Sequence, residues 1–120
     1  MRSSKRSLFV LVLLVLFAGG ASQWWFGRSE LRLAQALAAS AAPGDIRMLS
    51  STTCVYCAQA RDWMRRAQVP FDECFIERDA KCRAEFDARY AQGTPLVVVK
   101  GRSQRGFSPQ RVLDALREPA

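Results

Sequence analysis

The residues best placed to do chemistry are Cys54 and Cys57, in the run Cys54-Val55-Tyr56-Cys57. Sulfurs at this spacing come within bonding distance where the pair opens a helix. A thiolate on the first cysteine is then stabilised by the free N–H groups and the dipole of the helix N-terminus. Such a pair cycles between dithiol and disulfide. Cys54 is the expected nucleophile. Cys57, one turn in and on the apolar face, is the expected resolving thiol, which attacks a mixed disulfide on Cys54 and releases the product.

The chain contains no histidine. That excludes Ser-His-Asp and Cys-His catalysis and every His-containing zinc site. The helix N-terminus is left as the activator of Cys54. Half of a zinc knuckle has the same Cys-x-x-Cys spacing, but a knuckle needs a second close pair, and Cys74 and Cys82 are eight apart. Two readings compete with redox exchange: a non-enzymatic thiolate module that binds metal or delivers copper, and a scaffold whose cysteines form only structural bonds. The redox reading needs no metal and no bound cofactor.

Elements must hold that pair in place. Asp45 to Ser50 alternates Ile46 and Met48 and reads as a strand. Val55 to Gln68 reads as a helix with Cys57, Ala60, Met64 and Ala67 along one face. Phe71 to Ile76 is a second strand. Asp79 caps a helix expected to run to about Gln92, with Cys82, Phe86 and Tyr90 on one face. Leu96 to Lys100 is a short apolar strand, and Arg102 to Arg105 a weak edge strand. Ser108-Pro109 is an N-cap followed by proline at the first helical position, with Val112, Leu113 and Leu116 facing the core. Strands alternating with helices imply an α/β layer fold with a βαβ connection. Cys74 alternates with Ile76 and points inward, while Cys82 shares a helix face with Phe86. The pair reads as two buried thiols, a structural disulfide or a second redox relay.

The N-terminal segment sets the compartment. Arg2, Lys5 and Arg6 precede an unbroken apolar run from Leu8 to Phe17. Small residues follow, and then Trp24-Trp25-Phe26. A cleaved signal peptide fits, with Gly19-Gly20-Ala21 as cleavage residues. A signal anchor over residues 1–28 fits better: Ser7 to Phe26 makes about 30 Å of helix, and the tryptophans suit the far interface. Both put the basic end inside and the domain outside. The expected location is a bacterial inner membrane, single-pass, with the domain in the periplasm, where disulfides persist. Secretion to the periplasm after cleavage is the alternative. Residues 29–44 are expected to be a helical linker broken at Ala42-Pro43-Gly44, and residues 45–120 one domain. Of the formal +7, residues 1–43 carry five Lys/Arg against one Glu, and residues 44–120 thirteen Lys/Arg against ten Asp/Glu. That mild, interspersed excess is a solvated surface, so no nucleic-acid partner is expected.

The stretch Ser51-Thr52-Thr53-Cys54-Val55-Tyr56-Cys57, then Val69-Pro70-Phe71-Asp72-Glu73, and later Gly93-Thr94-Pro95-Leu96-Val97-Val98-Val99 resemble the glutaredoxin family. The resemblance covers about Ile46 to Leu116. It implies a thioredoxin-like fold, with a mixed sheet of about four strands flanked by about three helices. It implies a thiol–disulfide oxidoreductase working as a monomer. It also identifies Thr94-Pro95 as a cis-proline loop facing the active-site sulfurs, where an extended substrate segment would pair, and Tyr56 as a residue beside the sulfurs that shapes access. The sequence departs from the family in three places. Val55 stands where proline is usual after the first cysteine. Ser51 stands where a lysine that helps hold a thiolate and glutathione is common. Arg105-Gly106-Phe107-Ser108 replaces the second glutathione-binding stretch. Protein dithiols and disulfides are therefore the favoured partners over glutathione.

Overall fold

Ile46 and Met48 alternate with Arg47 and Leu49, and the first strand, β1 (Ile46–Ser50), presents them to opposite faces of a four-stranded sheet. In this computed structural model, which describes residues 2–119 and only the backbone of Arg2 and Ser3, the strand order is β2-β1-β3-β4. Met1 and Ala120, the outermost residues of the expected 1–28 and 45–120 segments, lie outside the described residues. β1 pairs parallel with β2 (Asp72–Phe75) and antiparallel with β3 (Leu96–Val99), and β3 pairs antiparallel with β4 (Arg102–Arg105). The parallel step needs a crossover, and α2 (Val55–Arg66) supplies it.

The sheet is covered on both faces. Ile46, Met48, Val97 and Val99 pack with Ala60 and Met64 of α2 and with Val112, Leu113 and Leu116 of α4 (Pro109–Arg117). On the other face Leu49, Leu96 and Val98 pack with Cys82 and Phe86 of α3 (Ala80–Ala88). A strand buried on both sides reads as a continuous apolar run, which is why Leu96-Val97-Val98-Val99 shows no alternation.

Two helices stop earlier than their apolar spacing suggests. α2 ends at Arg66 rather than Gln68, and α3 at Ala88 rather than Gln92. In each, a residue with positive φ closes the end: Gln68 (58°) after α2 and Tyr90 (53°) after α3. The next N–H then reaches back, Val69 to Met64 O and Ala91 to Phe86 O. This is the left-handed C-terminal motif, filled here without glycine, so the sequence lacked its usual marker. Tyr90 consequently leaves the helix face it was expected to share with Cys82 and Phe86, and is 88% exposed.

The N-terminal helix, α1, runs unbroken from Arg2 to Ser40. It divides between two compact units. Residues 1–32 form one, and Leu33–Ala120 the other. The second takes in the last turns of α1, from Leu33 to Ser40, together with the sheet. Leu37 is 1% exposed and belongs to the same core cluster as Ile46, Met48, Val99 and Val112, against which Leu33, Ala36, Ala38 and Ala41 pack. Ala42 to Asp45 then turns the chain into β1, with Gly44 at φ 90° after Pro43 and the Asp45 N–H donating to Ala42 O. The helix from Ser4 to Ser40 contains a segment long and apolar enough to cross a membrane, with mean hydropathy 1.9, a property that N-terminal signal sequences share.

Candidate functional site

β1 ends at Ser50, and a short turn, Ser51 to Thr53, leads straight into α2. Cys54 is the N-cap of that helix. Its backbone is extended, and its Sγ accepts the Cys57 N–H at 3.1 Å. Its carbonyl accepts the Ala58 N–H at 3.2 Å, the first bond of the helix. Cys54 and Cys57 are joined as a disulfide, with Cα atoms 5.2 Å apart. The two sulfurs are not equivalent: Cys57 is fully buried and Cys54 half-buried. Val55 and Tyr56 between them are 67% and 72% exposed. A thiolate arriving from solvent therefore meets Cys54 beside an apolar lip.

The turn is held from below by two carboxylates of the β2 region. Glu73 accepts two hydrogen bonds from Arg61 of α2, at 2.7 and 2.8 Å, and a third from the Ser50 hydroxyl at 2.6 Å. Burial pushes the Glu73 carboxyl up. The hydrogen bonds from Arg61 and Ser50 and the charges of Arg61 and Arg65 more than offset this, leaving it below the ordinary carboxylate value. The hydrogen bond to Glu73 in turn raises the Arg61 guanidinium above its usual value. Glu77, just past β2, accepts a hydrogen bond from the Ser51 hydroxyl and another from the Thr52 N–H at 3.1 Å. The Ser51 bond is the main reason the Glu77 carboxyl lies below its ordinary value.

The Thr94-Pro95 peptide is cis, and Pro95 is buried. β3 runs antiparallel to β1 with Leu96 opposite Leu49, and continuing that register brings Pro95 opposite Ser50. The cis peptide therefore lies at the same end of the sheet as the cysteine turn. Gly106, at φ 71°, donates its N–H to Pro95 O at 2.9 Å and ties the end of β4 to this loop.

Cys74 and Cys82 are joined in a second disulfide, with Cα atoms 6.0 Å apart. Cys74 faces α3 with its β1 neighbour Leu49, and the next residue back, Glu73, faces α2. Consecutive residues of β2 thus fasten a helix on each side, one by a covalent bond and one by an ion pair. Sequence reasoning missed Arg61, Glu73 and Glu77. For Glu73 a signal exists: it alternates with Cys74, so on a strand covered on both faces it needs a partner. Glu77 carries none, because its partners are 25 and 26 residues away.

Solved structures match this domain as a fold. A mutant form of the thioredoxin-like protein BC3987 is 23% identical, with a TM-score of 0.55 over 61% of this chain and 95% of that one. A glutaredoxin from Methanosarcina mazei Go1 is 18% identical, with a TM-score of 0.52 over 62% of this chain and 80% of that one. The glutaredoxin grx-1 from Archaeoglobus fulgidus is 16% identical, with a TM-score of 0.50 over 62% and 87%. No curated protein matches. The fold class is thioredoxin-like: a mixed four-stranded sheet with helices on both faces, preceded by a long apolar helix. Within that class the glutaredoxin family model matches residues 46–104. The domain of this chain belongs to the glutaredoxin family.

Proposed function

We propose that the chain is a thiol–disulfide oxidoreductase that exchanges disulfides with protein dithiols, and secondarily with small thiols, outside the cytoplasm. The observation that carries this reading is the Cys54–Cys57 disulfide at the start of α2, with the less buried cysteine also the N-cap. Membership of the glutaredoxin family supports the same class of chemistry.

The exchange runs in two balanced steps. A substrate thiolate attacks Cys54 Sγ, the Cys54–Cys57 bond breaks, and Cys57 leaves as a thiolate that takes up a proton. A second substrate thiolate then attacks its partner's sulfur in the mixed disulfide. This releases the substrate disulfide and leaves Cys54 as a thiolate, and two electrons have passed from substrate to enzyme. Run in reverse, the Cys54 thiolate opens a substrate disulfide and Cys57 resolves the adduct. The Cys57 N–H and the helix dipole stabilise the Cys54 thiolate in either direction. The Thr94-Pro95 loop and Tyr56 are proposed as the surfaces that seat the substrate, supported by their place at the same sheet end and beside the sulfurs.

Placement of the domain in the periplasm, on a single-pass anchor in a bacterial inner membrane, is supported by the apolar helix and by a second disulfide outside the Cys54–Cys57 pair. A Cys57→Ala variant in membranes tests the function. The expected result is accumulation of mixed disulfides on Cys54, with the captured proteins identified by mass and absent from the Cys54→Ala, Cys57→Ala double variant. Stoichiometric bound metal with no trapped partner would overturn the reading in favour of a metal-binding module.

A further inference from the structure

Glu77 is the one carboxylate bound directly to the active-site turn among the described hydrogen bonds, and the exchange chemistry above does not use it. It holds the turn at two consecutive residues, through the Ser51 hydroxyl and the Thr52 N–H. The Ser51 Oγ also accepts the Thr53 N–H at 3.5 Å, and Ser51 O accepts the Cys54 N–H at 3.3 Å. One carboxylate thus anchors the first two residues of the turn, and Ser51 in turn holds Thr53 and Cys54. The carboxylate is also a charge close to the nucleophile. Thr52 and Cys54 are two residues apart, so their Cα atoms are separated by at most about 7 Å.

The one cation that acts on it, Arg78, is the smallest of the causes that hold the Glu77 carboxyl low, and its guanidinium lies over the Phe75 ring, 5.0 Å from its centre. Asp79 adds a second acid and is occupied in capping α3 through the Lys81 and Cys82 N–H groups. Residues 44–120 as a whole carry thirteen Lys/Arg against ten Asp/Glu. The general field of the domain therefore attracts anions, whereas the turn presents one.

We propose that Glu77 is a positioning residue for the Cys54 turn and a specificity determinant that disfavours anionic thiols, glutathione among them, relative to neutral or cationic ones. The proposal rests on the exchange reading of Cys54 and Cys57. Glutathione carries two carboxylates and one ammonium, a net negative charge that must come close to Cys54 as its sulfur attacks. A protein dithiol flanked by neutral or basic residues meets no such opposition. A single charge pair about 9 Å apart across water changes a rate by about twofold. Comparing a thiol of charge −1 with one of charge +1 doubles the lever, to about threefold to fivefold.

The experiment measures the rate at which the Cys54–Cys57 disulfide of the full chain in detergent is reduced by glutathione, 2-mercaptoethanol and cysteamine. Each rate is corrected for the thiolate fraction of the reagent. The wild type is expected to favour cysteamine over glutathione at low salt, against the net charge of its domain, with the preference collapsing in 1 M NaCl. Glu77→Gln should raise the glutathione-to-cysteamine ratio about threefold to fivefold, and Glu77→Asp should retain the wild-type order. A Glu77→Gln ratio equal to that of the wild type overturns the specificity role. So does a wild-type preference for glutathione at low salt, which reads the point even if the variant does not fold. If none of the three thiols reduces the pair, it is the exchange function itself that fails.

Discussion

Arg61, Glu73 and Ser50 form one hydrogen-bonded cluster immediately beneath the cysteine turn, and its energetics are set by burial. The Arg61 and Glu73 side chains are 21% and 12% exposed. Removing one partner leaves a largely desolvated charge behind, which costs more than the pair itself contributes. Arg61→Met is therefore expected to lower stability by about 2–3 kcal/mol at neutral pH. The same cluster links stability to acid. Glu73 titrates lower in the folded chain than its ordinary value of 4.5. Its contribution is then complete above that ordinary value and is lost as pH falls through the lower folded value. Urea denaturation between pH 7 and pH 3 should show a shallower acid loss for Glu73→Gln than for the wild type. Parallel acid limbs would show that the carboxylate is not coupled to folding. At this scale the sequence was most informative about the cysteines, because spacing alone places two sulfurs together. It was least informative about the ion pair, because nothing local connects an arginine on a helix to a glutamate twelve residues later on a strand.

The elements were legible where their termini carry chemistry that acts locally. Ser108 caps α4 by accepting the Arg111 N–H, with Pro109 at the first helical position, and Asp79 caps α3 through two N–H groups. Those side chains satisfy donors within three residues, so the sequence records them. Helix ends were legible less well, since Gln68 and Tyr90 occupy left-handed positions that glycine usually marks. The strand-to-helix bond between Cys74 and Cys82 was one of three readings, because bridging distance is a tertiary property. It closes a loop of eight residues between β2 and α3. Chain-entropy arguments give about 2–3 kcal/mol for a loop of that length. Cys74→Ala, Cys82→Ala is accordingly expected to lose about 2–3 kcal/mol in denaturant while keeping the Cys54–Cys57 pair exchangeable with dithiothreitol. Loss of that exchange in a folded double variant would instead assign the second pair to a relay.

For the molecule as a whole, the segment between the apolar run and the first strand changed its meaning most. Ser29 to Ala42 is rich in alanine and leucine, and with no strand or turn signal it reads as a stalk. Its helical face was legible, with Leu33 and Leu37 at helical spacing. What that face packs against was not, because the core it joins is assembled from residues scattered between Ile46 and Leu116. Leu37 is 1% exposed inside that core. A leucine on a solvated stalk tolerates alanine within about 0.5 kcal/mol, whereas truncating a buried leucine costs about 2–5 kcal/mol for lost transfer energy and the cavity left behind. Leu37→Ala in the full chain should therefore destabilise the domain by at least about 2 kcal/mol, read from denaturation in detergent. Leu31→Ala, on a 59% exposed residue of the same helix, should leave it nearly unchanged. Equal, small effects of both would return residues 33–40 to a linker. The prediction holds for an anchored chain and for one cleaved after Ala21, because both retain Leu37.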